Sequence, residues 1–312
     1  MTNKTLSLCV PVFFEQEVIQ AFIDTTEKEL EKIGVTYEIV FVDDGSTDNT
    51  VEIIKKNIER NSNIRLLEFS YNHGKQAAIT AAITYAAGDY LLYMDPDLQD
   101  PPDEIHRFIT EMEKGYDLVF GVRKEKRDSW LNKMYSKIFW STLNKYTGLK
   151  LPKGLAVMRM FNREFAERFV AYKEQNRFIE GIFMHISMHH TSIEVEQRER
   201  FAGTSKFNFK RKMQLAFDAI FDFSELPLKL AVRLGALLSL VGIISVIGIF
   251  FLKMSVVDFQ AGWPSLISTI ILGTGVQLFF IGVAAIYIGR IYKESKQRPL
   301  FSIKRRHNFD EK

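Results

Sequence analysis

Over residues 5–122 short apolar runs alternate with amphipathic ones. Residues 5–13 form an apolar run that predicts a buried strand, and 16–33 carry apolar positions at helical spacing. Residues 37–42 predict a second strand and 48–60 a helix, with Ser46 or Thr47 available as its cap. A third strand follows at 64–69, and an alanine-rich helix at 74–87 ends in Gly88. The fourth strand, 90–94, runs into Asp95, Asp97 and Asp100. Pro102 then opens another helix, and 117–122 is a fifth strand. Such alternation implies βαβ units and a mainly parallel sheet. Further on, 124–147 reads as a helix with an apolar stripe of Leu131, Met134, Tyr135, Ile138 and Phe139. A strand near Val157, helices at 162–172 and 177–188 and a strand at 191–196 complete this part.

The pattern changes around Ser205. Phe209, Met213, Phe217, Ile220 and Phe221 recur at helical spacing, with Lys210, Arg211, Lys212, Asp218 and Asp222 off that face, as in a helix lying in a membrane interface. Residues 234–252 and 266–289 then carry no charge at all. At 1.5 Å per residue each covers roughly 28 Å or more, enough to cross a bilayer core. Lys229, Arg233, Arg290, Lys293, Lys296, Arg298, Lys304, Arg305 and Arg306 flank the pair, whereas 253–265 holds only Lys253 and Asp258. The positive-inside rule puts both ends in the cytoplasm. Trp263 and Tyr287 suit interface anchors. The expected organisation is a cytoplasmic α/β domain over 1–206, amphipathic interface helices over 207–228, a two-helix transmembrane hairpin over 229–290 and a basic cytoplasmic tail over 291–312.

Charge adds detail. Lys and Arg number 41 against 38 Asp and Glu, a near-neutral balance that argues against a general nucleic-acid binder. Arg198, Arg200, Lys206, Lys210, Arg211 and Lys212 nonetheless crowd one short stretch against Glu199, which suits phosphate or an anionic membrane. Cys9 is the only cysteine, so no disulfide framework or cysteine zinc site exists. The run after Met1 is too short and too poor in positive charge for a secretory signal. His185, His189 and His190 lack a nearby carboxylate or thiolate and are not read as a metal site.

Candidate chemistry sits where the strands stop. No G-x-G-x-x-G follows the first strand, so the dinucleotide fingerprint is missing. The strands end instead in acids: Glu15, Asp43 with Asp44, and Asp95 with Asp97. A doubly wound sheet brings such ends to one rim. Asp95 and Asp97, two residues apart in extended chain, point the same way and repel unless a cation sits between them. Oxygen ligands suit Mg²⁺ or Mn²⁺ holding a diphosphate; the same spacing also occurs in a polar loop with solvated acids.

Val10-Pro-Val-Phe-Phe-Glu15, Val42-Asp-Asp-Gly-Ser-Thr-Asp48, Asn72-His-Gly-Lys75 and Asp95-Pro-Asp-Leu-Gln-Asp-Pro-Pro102 together resemble a family 2 glycosyltransferase of the GT-A fold. Residues 198–207, 223–228 and 289–294 narrow the likeness to the polyisoprenyl-phosphate glycosyltransferases: bactoprenol glucosyltransferases and dolichyl-phosphate mannose synthases with a two-helix anchor. The resemblance implies that Pro11, Phe13, Glu15, Asp43 and Asp44 line a nucleoside pocket, with Lys75 near the base or diphosphate. It implies that Asp95, Asp97 and Gln99 hold Mg²⁺ or Mn²⁺, and that Arg198, Arg200, Ser205 and Lys206 grip phosphate from the donor or the lipid. Catalysis then falls to Asp95, Asp97, Arg198 and Lys206. The implied reaction moves a hexose, glucose by base rate, from a UDP-sugar to undecaprenyl phosphate at the cytoplasmic face of the inner membrane. Relatives assemble as homo-oligomers, and a partner flippase fits the product.

Two positions depart from the resemblance. Phe14 stands where the family usually has Asn. Val157, two residues before Arg159, stands where many relatives carry an Asp proposed as a catalytic base. Val157 alone supports the alternative of a non-catalytic nucleotide-sugar-binding scaffold or sensor. A processive polysaccharide synthase would need more membrane helices and a Gln-x-x-Arg-Trp motif; Gln175-Asn-Arg-Phe178 does not match.

Overall fold

The computed structural model describes residues 4–123, 154–175, 177–186, 189–196, 198, 226–254 and 262–309. The chain divides into two units, Met1–Phe209 with Arg298–Lys312, and Lys210–Gln297. The helix expected at 124–147 and the interface helix from Phe209 to Phe221 lie outside the described residues.

In the first unit the strands are β1 (Leu6–Val12), β2 (Tyr37–Asp43), β3 (Ile64–Phe69), β4 (Tyr90–Tyr93), β5 (Leu118–Arg123), β6 (Leu155–Asn162), β7 (His190–Val195) and β8 (Ile303–His307). The helices are α1 (Ile19–Ile33), α2 (Thr50–Arg60), α3 (Lys75–Tyr85), α4 (Ile105–Met112), α5 (Arg163–Ala171) and α6 (Ile179–Ile186), with a 3₁₀ turn at Pro102–Glu104. One eight-stranded sheet runs β7-β5-β6-β4-β1-β2-β3-β8. Parallel pairing joins β1 to β2 and β4, β2 to β3, and β5 to β7; β6 runs antiparallel to β4 and β5. This is an α/β fold with a mostly parallel sheet. One component has no forerunner in the hydrophobic pattern. The basic tail expected beyond residue 290 returns to the sheet as β8, antiparallel to β3.

Every residue of β1 is buried, which explains why its run is apolar but for Ser7: helices cover both faces. Phe22, Ile23 and Leu30 of α1, Ile54 of α2 and Phe108 of α4 pack on one face. Residues Ala77 to Ile83 of α3, Phe165 and Phe169 of α5 and Phe183 of α6 pack on the other. Alanines let α3 lie close to the strands, and its burial all round leaves no amphipathic face. Each fully buried phenylalanine contributes about 1.5–3 kcal/mol.

Two local readings change. Ser46 and Thr47 do not cap α2; Asp48 accepts the Thr50 N–H at 3.1 Å, while Ser46 turns back to the β1 end. Gly88 is not a left-handed helix cap. A Cβ there would meet Ser7 Oγ at 2.6 Å, so its smallness lets the chain enter β4 against β1.

The second unit contains α7 (Leu226–Met254) and α8 (Trp263–Ser295). Within α8, Leu272–Ser295 is long and apolar enough to cross a membrane, the only such segment among the described residues. Its 24 residues span roughly 36 Å as a helix. Leu272, Phe279 and Ile288 are each more than 60% exposed.

Candidate active site at the reversal of strand order

Strand order reverses at β1, with β2 and β3 on one side and β4 on the other. Ligands bind beyond the carboxyl ends of strands at such a point. β1 pairs with β4 only as far as Cys9, and Met94 N–H reaches Cys9 O at 3.4 Å. Leu6 N–H goes to Thr36 O on the β2 side, so by alternation the N–H that Pro11 lacks would face β4, past the end of pairing. Proline here ends the β1–β4 ladder without an unpaired donor, and the strands part.

The β1 end is held to the loop after β2. Phe14 N–H donates to Ser46 Oγ at 3.0 Å and Glu15 N–H to Thr50 Oγ1 at 2.9 Å. Phe13 and Phe14 rings lie 4.2 Å apart. Phe14 has φ +54°, the left-handed region that asparagine tolerates and phenylalanine does not. Leu98, between Asp97 and Gln99, has φ +56°. Strain of this kind gathers at functional sites.

The β2 end places two buried acids. Asp43 Oδ2 accepts Gly45 N–H at 3.2 Å and Ser46 N–H at 3.0 Å, while Oδ1 is buried without a hydrogen-bond partner. Asp44 accepts His73 N–H at 2.6 Å on Oδ1 and Gly74 N–H at 2.9 Å on Oδ2. Burial pushes both carboxyls above the ordinary range, although these N–H groups pull the other way. Gly45 is required: its φ is +82°, and a Cβ would sit 3.0 Å from Asn72 N.

The β4 end is different. Asp95 Oδ2 meets Lys75 Nζ at 2.6 Å, and Asp95 Oδ1 is buried without a partner. Burial opposes the Lys75 charge, but the Tyr93 hydroxyl and the Asp95 carboxylate outweigh it and raise its pKa. Asp97 Oδ1 accepts Gln99 N–H at 3.1 Å. Asp100 joins no open carboxylate cluster: it is buried, its Oδ2 takes Met158 N–H at 3.0 Å, and burial raises its pKa. It ties the acidic loop to β6.

The structure therefore brings Pro11, Phe13, Glu15, Asp43, Asp44, Lys75, Asp95, Asp97 and Gln99 to the ends of β1, β2 and β4. Arg198 joins them, since its N–H donates to Gln99 O at 3.0 Å and its guanidinium pairs with Asp103 at 2.8 Å. Arg200, Ser205 and Lys206 lie outside the described residues. Among the described residues no group of three or more His, Cys, Asp or Glu is arranged to hold a metal ion. The two-acid set still fits one, because an orphaned buried carboxylate oxygen at Asp95 asks for a cation. Sequence reasoning missed Thr50 and Asp103 and gave Ser46 a different task, because each holds a loop through a single polar contact that no spacing announces.

Val157 occupies β6 beside Arg159. Arg159 is 2% exposed, lies over the Tyr93 ring at 5.3 Å and reaches Glu180 at 3.4 Å. Its Nη1 has no partner.

Residues 7–170 match the model of glycosyl transferase family 2. The chain belongs to that family and is a glycosyltransferase. It is 34% identical to the SfII prophage-derived bactoprenol glucosyl transferase of Shigella flexneri, over 97% of this chain and 98% of the relative. It is 30% identical to the undecaprenyl-phosphate 4-deoxy-4-formamido-L-arabinose transferase of Proteus mirabilis, over 97% and 94%. The uncharacterized glycosyltransferase YkcC of Bacillus subtilis is 34% identical over 98% and 95%. The fold is shared with glucosyl-3-phosphoglycerate synthase from Mycobacterium tuberculosis, solved with Mn²⁺ and UDP-glucose, at a TM-score of 0.50 and 16% identity over 70% of this chain and 79% of that one.

Proposed function

We propose that this glycosyltransferase moves a hexose, glucose in the first instance, from a UDP-sugar to undecaprenyl phosphate or a similar polyprenyl phosphate, with inversion at the anomeric carbon. What carries this reading is one conjunction: a relative named bactoprenol glucosyl transferase aligns from the acid-ended strands through both long apolar helices.

Asp43, with its unpartnered Oδ1, and Glu15 and Phe13 at the end of β1 would receive the nucleoside. Asp95 and Asp97, with Gln99, would hold Mg²⁺ or Mn²⁺, whose charge would offset that of the leaving diphosphate. Lys75, held against Asp95, adds a fixed positive charge at the same place. The acceptor phosphate has a second pKa of about 6, so at neutral pH it is mostly a dianion and needs no base to become a nucleophile. Val157 is therefore compatible with turnover. The protein's tasks are to place the acceptor in line and to stabilise the departing charge, for which Arg198, Arg200, Ser205 and Lys206 are the candidate phosphate contacts.

The membrane placement follows from the same reading. The exposed apolar surface of α8 asks for a lipid environment. Because β8 pairs with β3, the chain on either side of the α7–α8 unit belongs to one sheet. A chain that leaves one side of a membrane and returns to it crosses an even number of times, so if α8 spans, α7 supplies the other crossing. We place both termini and the sheet on the cytoplasmic side, leave the long helices to carry any homo-oligomer contact, and assign export of the lipid-linked sugar to a separate flippase.

Full-length protein incubated with labelled UDP-glucose, Mn²⁺ and undecaprenyl phosphate is expected to form a lipid-linked hexose, and EDTA to abolish it. Failure with UDP-glucose, UDP-N-acetylglucosamine and GDP-mannose alike, with Asp97→Asn indistinguishable from wild type in UDP binding, would sink the reading.

A further inference from the structure

The C-terminal tail reaches the donor side of the site. Phe301 stacks on Phe69 with ring centroids 5.4 Å apart and 8° between planes. Ser70 N–H donates to Ser302 O at 3.0 Å. Ser302 N–H in turn donates to His73 Nε2 at 3.2 Å. His73 also stacks on Tyr71 at 4.0 Å, and its own N–H is the one that donates to Asp44 at 2.6 Å. Two residues on, Lys75 opens α3 and pairs with Asp95. A continuous series of contacts thus links residue 302 to both acidic strand ends. Gly45 closes the opposite side of the 70–74 loop against Tyr71 and Asn72. The loop is gripped between the turn after β2 and a segment more than 200 residues away in sequence.

We propose that Phe301 and Ser302 position the donor site, acting through His73 to set the 72–75 loop, which is anchored on Asp44 and presents Lys75 to a nucleoside diphosphate. The proposal rests on the donor-site reading above. His73 serves as the joint because its two ends do different work: the backbone N–H fixes Asp44, and the ring accepts from the tail. An imidazole that accepts at Nε2 is neutral and carries its proton on Nδ1. The tail follows α8 directly, so docking of the segment that leaves the long helices and competence to hold the nucleotide become one event. Tail residues Arg306, bonded to Tyr85 at 2.9 Å, and Asn308, bonded to Ile64 O at 2.7 Å, hold β8 in register for this contact.

The test uses the full-length protein and UDP with Mn²⁺ as the probe. Ser302→Pro removes the N–H, His73→Ala removes the acceptor, and His73→Gln offers a carbonyl oxygen at a similar reach. Loss of one neutral hydrogen bond predicts a UDP dissociation constant raised roughly three- to tenfold in the first two, with KM for the sugar nucleotide moving in step and kcat moving less. His73→Gln recovers most of the loss. Amide exchange at His73 and Gly74 speeds up in Ser302→Pro without nucleotide. Wild-type UDP affinity together with unchanged exchange at both amides, in a folded Ser302→Pro or His73→Ala protein, overturns the proposal. A wild-type protein that does not bind UDP with Mn²⁺ overturns the donor-site reading and this assignment with it, a result separable from the first because it needs no variant.

Discussion

Two strand ends flank β1 in this site and use their acids in opposite ways. At the end of β2, Asp44 gives both oxygens to backbone N–H groups of the 73–74 loop, and Asp43 gives one to its own turn. At the end of β4, Asp95 has a side-chain cation on one oxygen and no partner on the other. The β2 acids shape the chain. The β4 acid holds charge: it pairs with Lys75 and keeps a second oxygen unpartnered. An acid that shapes a loop is lost as stability, whereas an acid that holds charge is lost as chemistry.

The largest effect should come from Asp95→Asn. It keeps the shape and removes the charge, so turnover of the nucleotide sugar should fall by about 100-fold or more, with little change in the thermal midpoint. A midpoint that collapses along with activity would erase the distinction between the two ends. Asp44→Ala should show the reverse emphasis. Removing a buried carboxylate that accepts backbone N–H groups should cost about 2–3 kcal/mol in denaturant unfolding, together with weaker UDP binding. A change under about 0.5 kcal/mol, within ordinary surface variation, would place Asp44 outside the scaffold.

The pH response sharpens the same contrast. Burial raises the carboxyls of Asp43 and Asp44 above their ordinary values, so the folded protein binds more protons than the unfolded chain in that window. Their contribution to stability is full below the ordinary carboxylate pKa and is lost as pH rises through the raised values. On the proposed donor site, where an ionised Asp43 would accept from the nucleoside, nucleotide binding runs the other way. UDP affinity should fall as pH drops through that window, and Asp43→Asn should flatten the titration followed by calorimetry. The smallest effect is local. Phe14→Asn relieves a left-handed phenylalanine that is 42% exposed, and should raise stability by about 0.5–1 kcal/mol in a urea melt.

Much of this was legible beforehand because the signals are local. The burial of β1 on both faces, the helical spacing in α1 and the acids that stop β2 and β4 all follow from neighbours within a few residues. The left-handed backbone at Phe14 gives physical content to the departure noted there. β8 was not legible. Lys304, Arg305 and Arg306 read as the basic flank of a membrane helix, and an exposed edge strand needs no apolar alternation of its own. It exists because β3 has an open edge and because Glu68 receives His307 at 2.5 Å.

Among the described residues, the sequence by itself determined the α/β class, the order of strands and helices through β7, the two long apolar helices and the residue types at the strand ends. Each of those depends on periodicity or on adjacent residues. The tertiary structure alone decided that Asp44 serves the 73–74 loop, that Asp95 shares itself with Lys75, that Asp100 ties a loop to β6, and that β8 closes on β3 beside the 70–74 loop. Those outcomes depend on which strand lies beside which, and pairing across 20 to more than 200 residues is set by the packing of the whole sheet.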